Sequence, residues 1–381
     1  MIIFLILFII ICLISCTSIY FSKKEKKKGG AVILAVSYEP HYSRKLSDKN
    51  TPYFEKRPHD EMMILKLGQR KLLMNELELY TIFLKKFPRE NTQVVYAGAA
   101  AGFHSTLFAE LFPDWIFHFY DTNPFSEELM KYQNIKLYRS YFMDKDAYTY
   151  TNRNYKLIFL SDIRTGTYEE SVISDMELQK QWCKIMKPDL TMLKFRLPWK
   201  NGKTSYFKGE IYTQPRIGPT STEMRLIFKF KPEEWEKGGI EVEYDNSLYN
   251  DRCFFYQRHQ RCAFHEINNF DEISAQIQGL CHCNDCWSEL EICKSFLSVN
   301  SKFREKNGLY SSLVFLETDV EKDKIQKLIS FMKIIGSHSK SNLNQPPHNL
   351  MVNERNINKK KRLLSPITIK YFNKLSENFN D

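Results

Sequence analysis

Between residues 93 and 230 the chain alternates short β-rich runs with helical stretches, and no other feature restricts its fold as strongly. Runs at 93–96, 115–120, 135–138, 156–161, 190–195 and 224–230 are apolar and bounded by turn residues, the pattern of strands buried on both faces. Helical periodicity separates them at 103–112 and 169–186. That rhythm specifies a layered α/β fold, a mainly parallel Rossmann-like sheet with helices on both faces. Upstream, Leu73, Leu77, Tyr80, Phe83, Leu84 and Phe87 recur at helical spacing, so residues 61–87 hold an amphipathic helix with a turn at Gly68. A chain of 381 residues accommodates one such domain, assigned to 61–300, with appendages at both ends.

The first predicted strand runs into Ala97-Gly98-Ala99-Ala100-Ala101-Gly102 and then a helix. Small side chains let a ligand approach the backbone, and the amides that open a helix favour a polar or anionic group. Asp121 stands 23 residues after Gly98, where the next strand ends, and a carboxylate there accepts hydrogen bonds from the ribose of an adenosine cofactor. Close packing of helix on strand explains the glycines equally well. The spacing alone does not separate a nicotinamide cofactor from S-adenosylmethionine.

Four ionisable residues sit in or beside predicted elements: Lys71, Asp162, Lys194 and Glu223. Lys194 falls within a predicted central strand, where an unpaired ammonium is costly, so it requires carboxylates or a chemical task. A desolvated lysine beside a second cation has a depressed pKa and serves as a general base. Lys71 is the candidate cation, and Asp162 and Glu223 orient the amine. A purely structural ion-pair network is the competing reading.

Five stretches taken together resemble the successive motifs of one family. They are Gly68-Gln69-Arg70-Lys71-Leu72-Leu73, the Val95 to His104 turn, Ser161-Asp162-Ile163-Arg164, Leu193-Lys194-Phe195-Arg196-Leu197-Pro198-Trp199 and Thr222-Glu223-Met224-Arg225-Leu226. The family is the cap-specific mRNA (nucleoside-2′-O-)methyltransferases of poxviruses and other large DNA viruses, which in poxviruses double as the poly(A) polymerase regulatory subunit. The resemblance covers about residues 50–300. It implies a viral mRNA-capping enzyme that transfers a methyl group from S-adenosylmethionine to a ribose 2′-hydroxyl. Its catalytic tetrad falls on Lys71, Asp162, Lys194 and Glu223, with Lys194 as the base. Cofactor contacts fall on Gln69, Tyr96, Gly98, Gly102, Asp121 and Asp162.

The family also stacks the methylated guanine of the cap between aromatic rings. Trp199 matches one ring and Tyr53 the other, with Tyr38 as the alternative, although Trp199 also suits core filling. Two departures stand out: Ala101 replaces a common proline in the cofactor turn, and Lys200-Asn201 follow Trp199 where an acidic cap contact is expected. The resemblance implies capped mRNA and a viral poly(A) polymerase catalytic subunit as partners. Methylation of internal or ribosomal RNA, and a non-catalytic RNA-binding role beside that polymerase, are the rival functions.

The ends of the chain carry separate signals. Residues 1–22 contain no charged side chain and match the ~20 apolar residues of a membrane-spanning helix. The Lys23, Lys24, Lys26, Lys27 and Lys28 cluster follows the run rather than preceding it, which predicts an uncleaved anchor with the catalytic domain cytosolic, at a viral factory or in a virion. Residues 23–60 read as a basic, irregular arm, 301–335 as a helical extension, and 336–381 as a disordered basic tail. The formal charge of +10 favours a polyanionic partner. A Cys-rich stretch at 253–293 places Cys281, Cys283 and Cys286 after Cys262, enough soft ligands for a structural zinc, with buried free thiols as the alternative.

Overall fold

Seven strands form the central sheet, in the order β3-β2-β1-β4-β5-β8-β7. They are β1 (Thr92–Ala97), β2 (Ile116–Tyr120), β3 (Ile135–Tyr138), β4 (Lys156–Ser161), β5 (Leu190–Phe195), β7 (Glu210–Tyr212) and β8 (Met224–Phe228); β6 (Lys203–Phe207) pairs separately with β9 (Glu241–Asp245). The first five are mutually parallel, and β8 and β7 close one edge antiparallel. This computed structural model describes residues 44–46, 67–87, 91–218, 220–261, 265–277, 279–300 and 320–339. All of them belong to the unit Glu39–Asp381.

Strand side chains alternate between faces, and here the alternation sorts residues into two cores. Val94, Tyr96, Ile158 and Leu160 enter one; Val95, Ala97, Leu157 and Phe159 enter the other. The first core is covered by α1 (Gly68–Lys86), α2 (Ser105–Leu111), α8 (Asn284–Asn300) and α9 (Glu321–His338). The second is covered by α3 (Asp144–Tyr148), α4 (Glu169–Met186), α5 (Pro232–Glu236) and α6 (Asn246–Phe255). Short α7 (Phe270–Ser274) adds Ile273 to the first core. Helices therefore flank the sheet on both faces, as the alternation predicts.

Three details differ from the sequence reading. Gly68 opens α1 rather than forming a turn before it. Residues 241–245, which the sequence reading does not mark as a strand, form β9, in which Val242 and Tyr244 alternate with Glu241, Glu243 and Asp245. The last helix runs through Gly336 to His338, past the point where the composition changes. The predicted membrane anchor, the arm with Tyr38 and Tyr53, and residues 340–381 of the tail lie outside the described residues. Among the described residues no helix is long and apolar enough to cross a membrane.

Candidate active site

Parallel strands bring their C-terminal ends to one edge of the sheet, and that edge gathers the predicted residues. Ala97 pairs with Ser161, and Ser161 with Leu193, so the residues that follow, Gly98, Asp162 and Lys194, share one level. Lys194 lies opposite Arg225 on antiparallel β8, which places Glu223 at the same end. Helix α1 supplies Lys71 from one face of the sheet.

All four tetrad residues meet. Lys194 Nζ donates to the Asp162 carbonyl at 2.9 Å and lies 3.1 Å from Asp162 Oδ1 and 3.7 Å from Glu223 Oε2. Lys71 Nζ donates to Glu223 Oε1 at 3.3 Å. Glu223 is itself fixed through its backbone: its carbonyl accepts from Gln214 Nε2, and the Gln214 side chain accepts from Asn75 on α1. Lys194 is 8 % exposed, so the cluster is mostly withdrawn from water.

The charges are strongly coupled. Burial by itself pushes Asp162 upward, yet Arg225, Lys194 and Lys71 together hold its carboxyl well below the usual carboxylate range. Glu223 follows the same logic: burial opposes ionisation, and Lys71, Lys194 and Arg225 bring it down to about 2. Lys71 is lowered, chiefly by burial, with Arg225 and Lys194 adding to the effect against the pull of Glu223 and Asp162. Both acids are therefore ionised near neutral pH, held by three cations.

Arg225 is a residue the sequence reading quoted without giving it a role. Its guanidinium donates to Asp162 Oδ1 at 2.5 Å and stands 3.7 Å from Glu223 Oε1. Arg164 approaches Glu223 Oε2 at 3.7 Å while donating to Asp175 at 3.2 Å. The signal for Arg225 is the one used for Lys194, a charge within an apolar central strand.

The small-residue turn adjoins the tetrad. Gly98 has φ +83°, and a Cβ there would lie 2.9 Å from the Asp162 carbonyl carbon and the Ile163 amide. Gly102 has φ +70°, and its Cβ would meet Leu129 at 2.8 Å. Gly98 thus requires glycine on conformational and steric grounds, and Gly102 on conformational ones. At the end of β2, Asp121 accepts from the Ala100 amide at 3.0 Å and from the Asn123 amide at 2.9 Å. Gln69 accepts or shares a hydrogen bond with His104 Nδ1 at 2.9 Å, tying α1 to the turn, whereas Tyr96 is buried in the first core.

Trp199 leaves the same end of β5 and is 41 % exposed. It stacks on Phe254 at 5.3 Å between centroids, Arg196 lies 5.2 Å from its ring, and its backbone amide donates to Glu169 at 2.9 Å. Tyr53, its predicted partner, lies outside the described residues, as does Cys262. Cys281, Cys283 and Cys286 are brought together, at a place separate from the tetrad.

A family profile described as poly A polymerase regulatory subunit matches residues 40–307. The chain belongs to this family. Within it, a similar relative is the cap-specific mRNA (nucleoside-2′-O-)-methyltransferase of fowlpox virus (strain NVSL), 28% identical over 206 residues. That match covers 50% of this chain and 63% of the relative's own length. Among solved structures, bluetongue virus VP4, described as a multifunctional RNA-capping production line, aligns at 13% identity over 64% of this chain and 43% of its own, with a TM-score of 0.39. A similarity of that size carries no weight for fold or function. Family membership rests on the profile and agrees with the five motifs read from the sequence.

Proposed function

We propose that this family member is an S-adenosylmethionine-dependent methyltransferase acting on the ribose 2′-hydroxyl of capped mRNA. The observation that carries the reading is the convergence of Lys71, Asp162, Lys194 and Glu223 at the strand ends, against the Gly98 turn.

The residues around that turn fit such a cofactor. Ser105 and Ser161, at the start of α2 and the end of β4, keep buried hydroxyl oxygens without a hydrogen-bond partner among the described residues. A carboxylate accepts about four hydrogen bonds, and Asp121 uses three of those positions, one on the Ala100 amide of the glycine turn and two on Asn123 of its own loop, the side chain at 3.0 Å. When bound, S-adenosylmethionine supplies an electrophilic methyl group on a sulfonium. Gly98, Gly102 and Asp121 are the residues that would hold its adenosine, with Gln69, Tyr96 and Asp162 as further contacts.

Lys194 is the general base of this reading. A neutral lysine amine carries two N–H bonds and one lone pair. With the Asp162 carbonyl and carboxylate accepting its N–H groups at 2.9 and 3.1 Å, the lone pair is left to take a hydroxyl proton. Arg225 holds the Asp162 carboxylate in place for this, and Lys71 holds Glu223. The exposed Trp199 ring, supported by Phe254, provides a stacking platform for a cationic base such as methylated guanine.

The family name favours a second role, as RNA-binding partner of a viral poly(A) polymerase catalytic subunit. The apolar residues 1–22 and the lysines after them support tethering at a membrane with the catalytic unit cytosolic. The deciding experiment is transfer of labelled methyl from S-adenosylmethionine to short RNAs with and without a cap. Label on the ribose 2′-oxygen of the first transcribed nucleotide, dependent on the cap, is expected. Equal labelling of uncapped RNA would indicate internal or ribosomal RNA instead, and binding of RNA without labelling would favour the regulatory role alone.

A further inference from the structure

We infer that Cys281, Cys283 and Cys286 form a zinc site that fastens α8 to the helix carrying Lys71. The three sulfurs lie within 4.8 Å of one another, and Cys281 and Cys286 are 3.7 Å apart. Tetrahedral zinc–thiolate bonds of ~2.3 Å demand sulfur–sulfur separations of about 3.8 Å, whereas a disulfide would need ~2.05 Å. None of the three takes part in a disulfide.

Their surroundings differ from those of the other buried cysteines. Cys183 and Cys253 sit in the second apolar core and Cys293 in the first, the ordinary placing of a free thiol. Among the described residues the trio forms a hydrophobic cluster of its own, with Leu280 packed against it. Cys286 Sγ accepts from Arg216 Nη2 at 3.2 Å and from the Cys281 amide at 3.4 Å. That sulfur therefore faces two donors, one of them a guanidinium, where the core cysteines face apolar side chains.

Charge balance points the same way. Arg216 and Arg70 share Glu289, Arg261 pairs with Asp285, and all five residues are at most 2 % exposed. Three guanidiniums against two carboxylates leave a buried excess of one positive charge. Three thiolates with one Zn²⁺ contribute one negative charge and cancel it; three neutral thiols leave it uncompensated.

The placement gives the metal a mechanical role. Cys281 and Cys283 lead into α8, whose first turn carries Cys286 and whose Glu289 accepts from Arg70 at 2.6 Å, and Arg70 is the neighbour of Gln69 and Lys71 on α1. The chain on the other side is tied to the same segment, since Asn284 N donates to the Arg261 carbonyl at 3.3 Å and His265 N to the His282 carbonyl at 2.7 Å.

The test uses the full chain purified under reducing conditions without chelator, with metal content by mass spectrometry and zinc-edge X-ray absorption. One zinc per chain with at least three sulfur neighbours at ~2.3 Å is expected. Cys283→Ser should abolish stoichiometric zinc, and Cys183→Ser should retain it. Removing zinc with a chelator should lower the melting temperature, and adding Zn²⁺ back should restore it. A chain that is metal-free as purified and takes up no Zn²⁺ on titration would overturn the proposal, as would bound zinc with fewer than three sulfurs. Because no readout depends on methyl transfer, failure of the proposed activity would leave this result unaffected.

Discussion

Two ionic clusters branch from adjacent residues of one helix and differ in almost everything but charge. Lys71 enters a group with Lys194 and Arg225 around Asp162 and Glu223, which Arg164 also approaches. Arg70 enters another, with Arg216 and Arg261, around Glu289 and Asp285. The second group is sealed, and its guanidiniums make forked contacts, Arg261 donating to both oxygens of Asp285 at 3.0 and 2.6 Å. The first keeps its carboxylates about one-sixth exposed and uses two lysines, point charges on flexible stems, at contacts of 3.1–3.7 Å. Rigid forks suit a joint between helices. Looser lysines at a partly open strand edge suit a proton that must move.

If that contrast is right, the two clusters fail differently. Glu289→Ala leaves Arg70 and Arg216 uncompensated in a dry interior and should cost roughly 3–5 kcal/mol of stability, read by denaturant or thermal unfolding. Glu223→Gln should cost much less stability while reducing methyl transfer, and equal destabilisation by both changes would erase the distinction. Trp199→Ala should raise KM for capped RNA by about tenfold or more with little change for uncapped RNA, from the ~1–3 kcal/mol that base stacking contributes. A loss common to both RNAs would make Trp199 part of the structural framework instead.

Acid should act on both clusters, because Arg216 and Arg70 outweigh burial and hold Glu289 below the ordinary carboxylate range as well. Glu223 falls from an ordinary 4.5 to about 2 in the folded chain, and Asp162 moves in the same direction. A group depressed in this way contributes stability that is fully present above its unfolded value and lost as pH falls through its folded one. Melting temperature should therefore decline between about pH 4.5 and 2, with a shallower decline in Glu223→Gln. An unchanged slope in that variant would show that Glu223 is not held by the cations around it. This is the smallest of the expected effects, because other carboxylates titrate in the same range.

How far each cluster was legible in the sequence follows from its physics. Strand boundaries at β4 and β5 and the whole of α4 are readable because apolar or periodic runs fix them. β7, at three residues, is too short to show a period, whereas the alternation of Val242 and Tyr244 in β9 is readable as a strand. Lys194 stands out as a charge in an apolar strand, and the same rule applied to Arg225 would have exposed the fifth member of the site. The sealed cluster is nearly invisible, because Arg70 and Glu289 are 219 positions apart and only folding pairs them. Cys281, Cys283 and Cys286 are close in sequence and readable as a group; their separation from the apolar cores is not.

The central claim is that Lys194 removes the ribose proton, and the most direct measurement is single-turnover methyl transfer to capped RNA by the full chain and by Lys194→Ala. Titration of S-adenosylmethionine onto both proteins accompanies it. The account predicts a fall in rate of about 100-fold or more with cofactor binding and melting temperature little changed. A Lys194→Ala protein that methylates at the parent rate would contradict it.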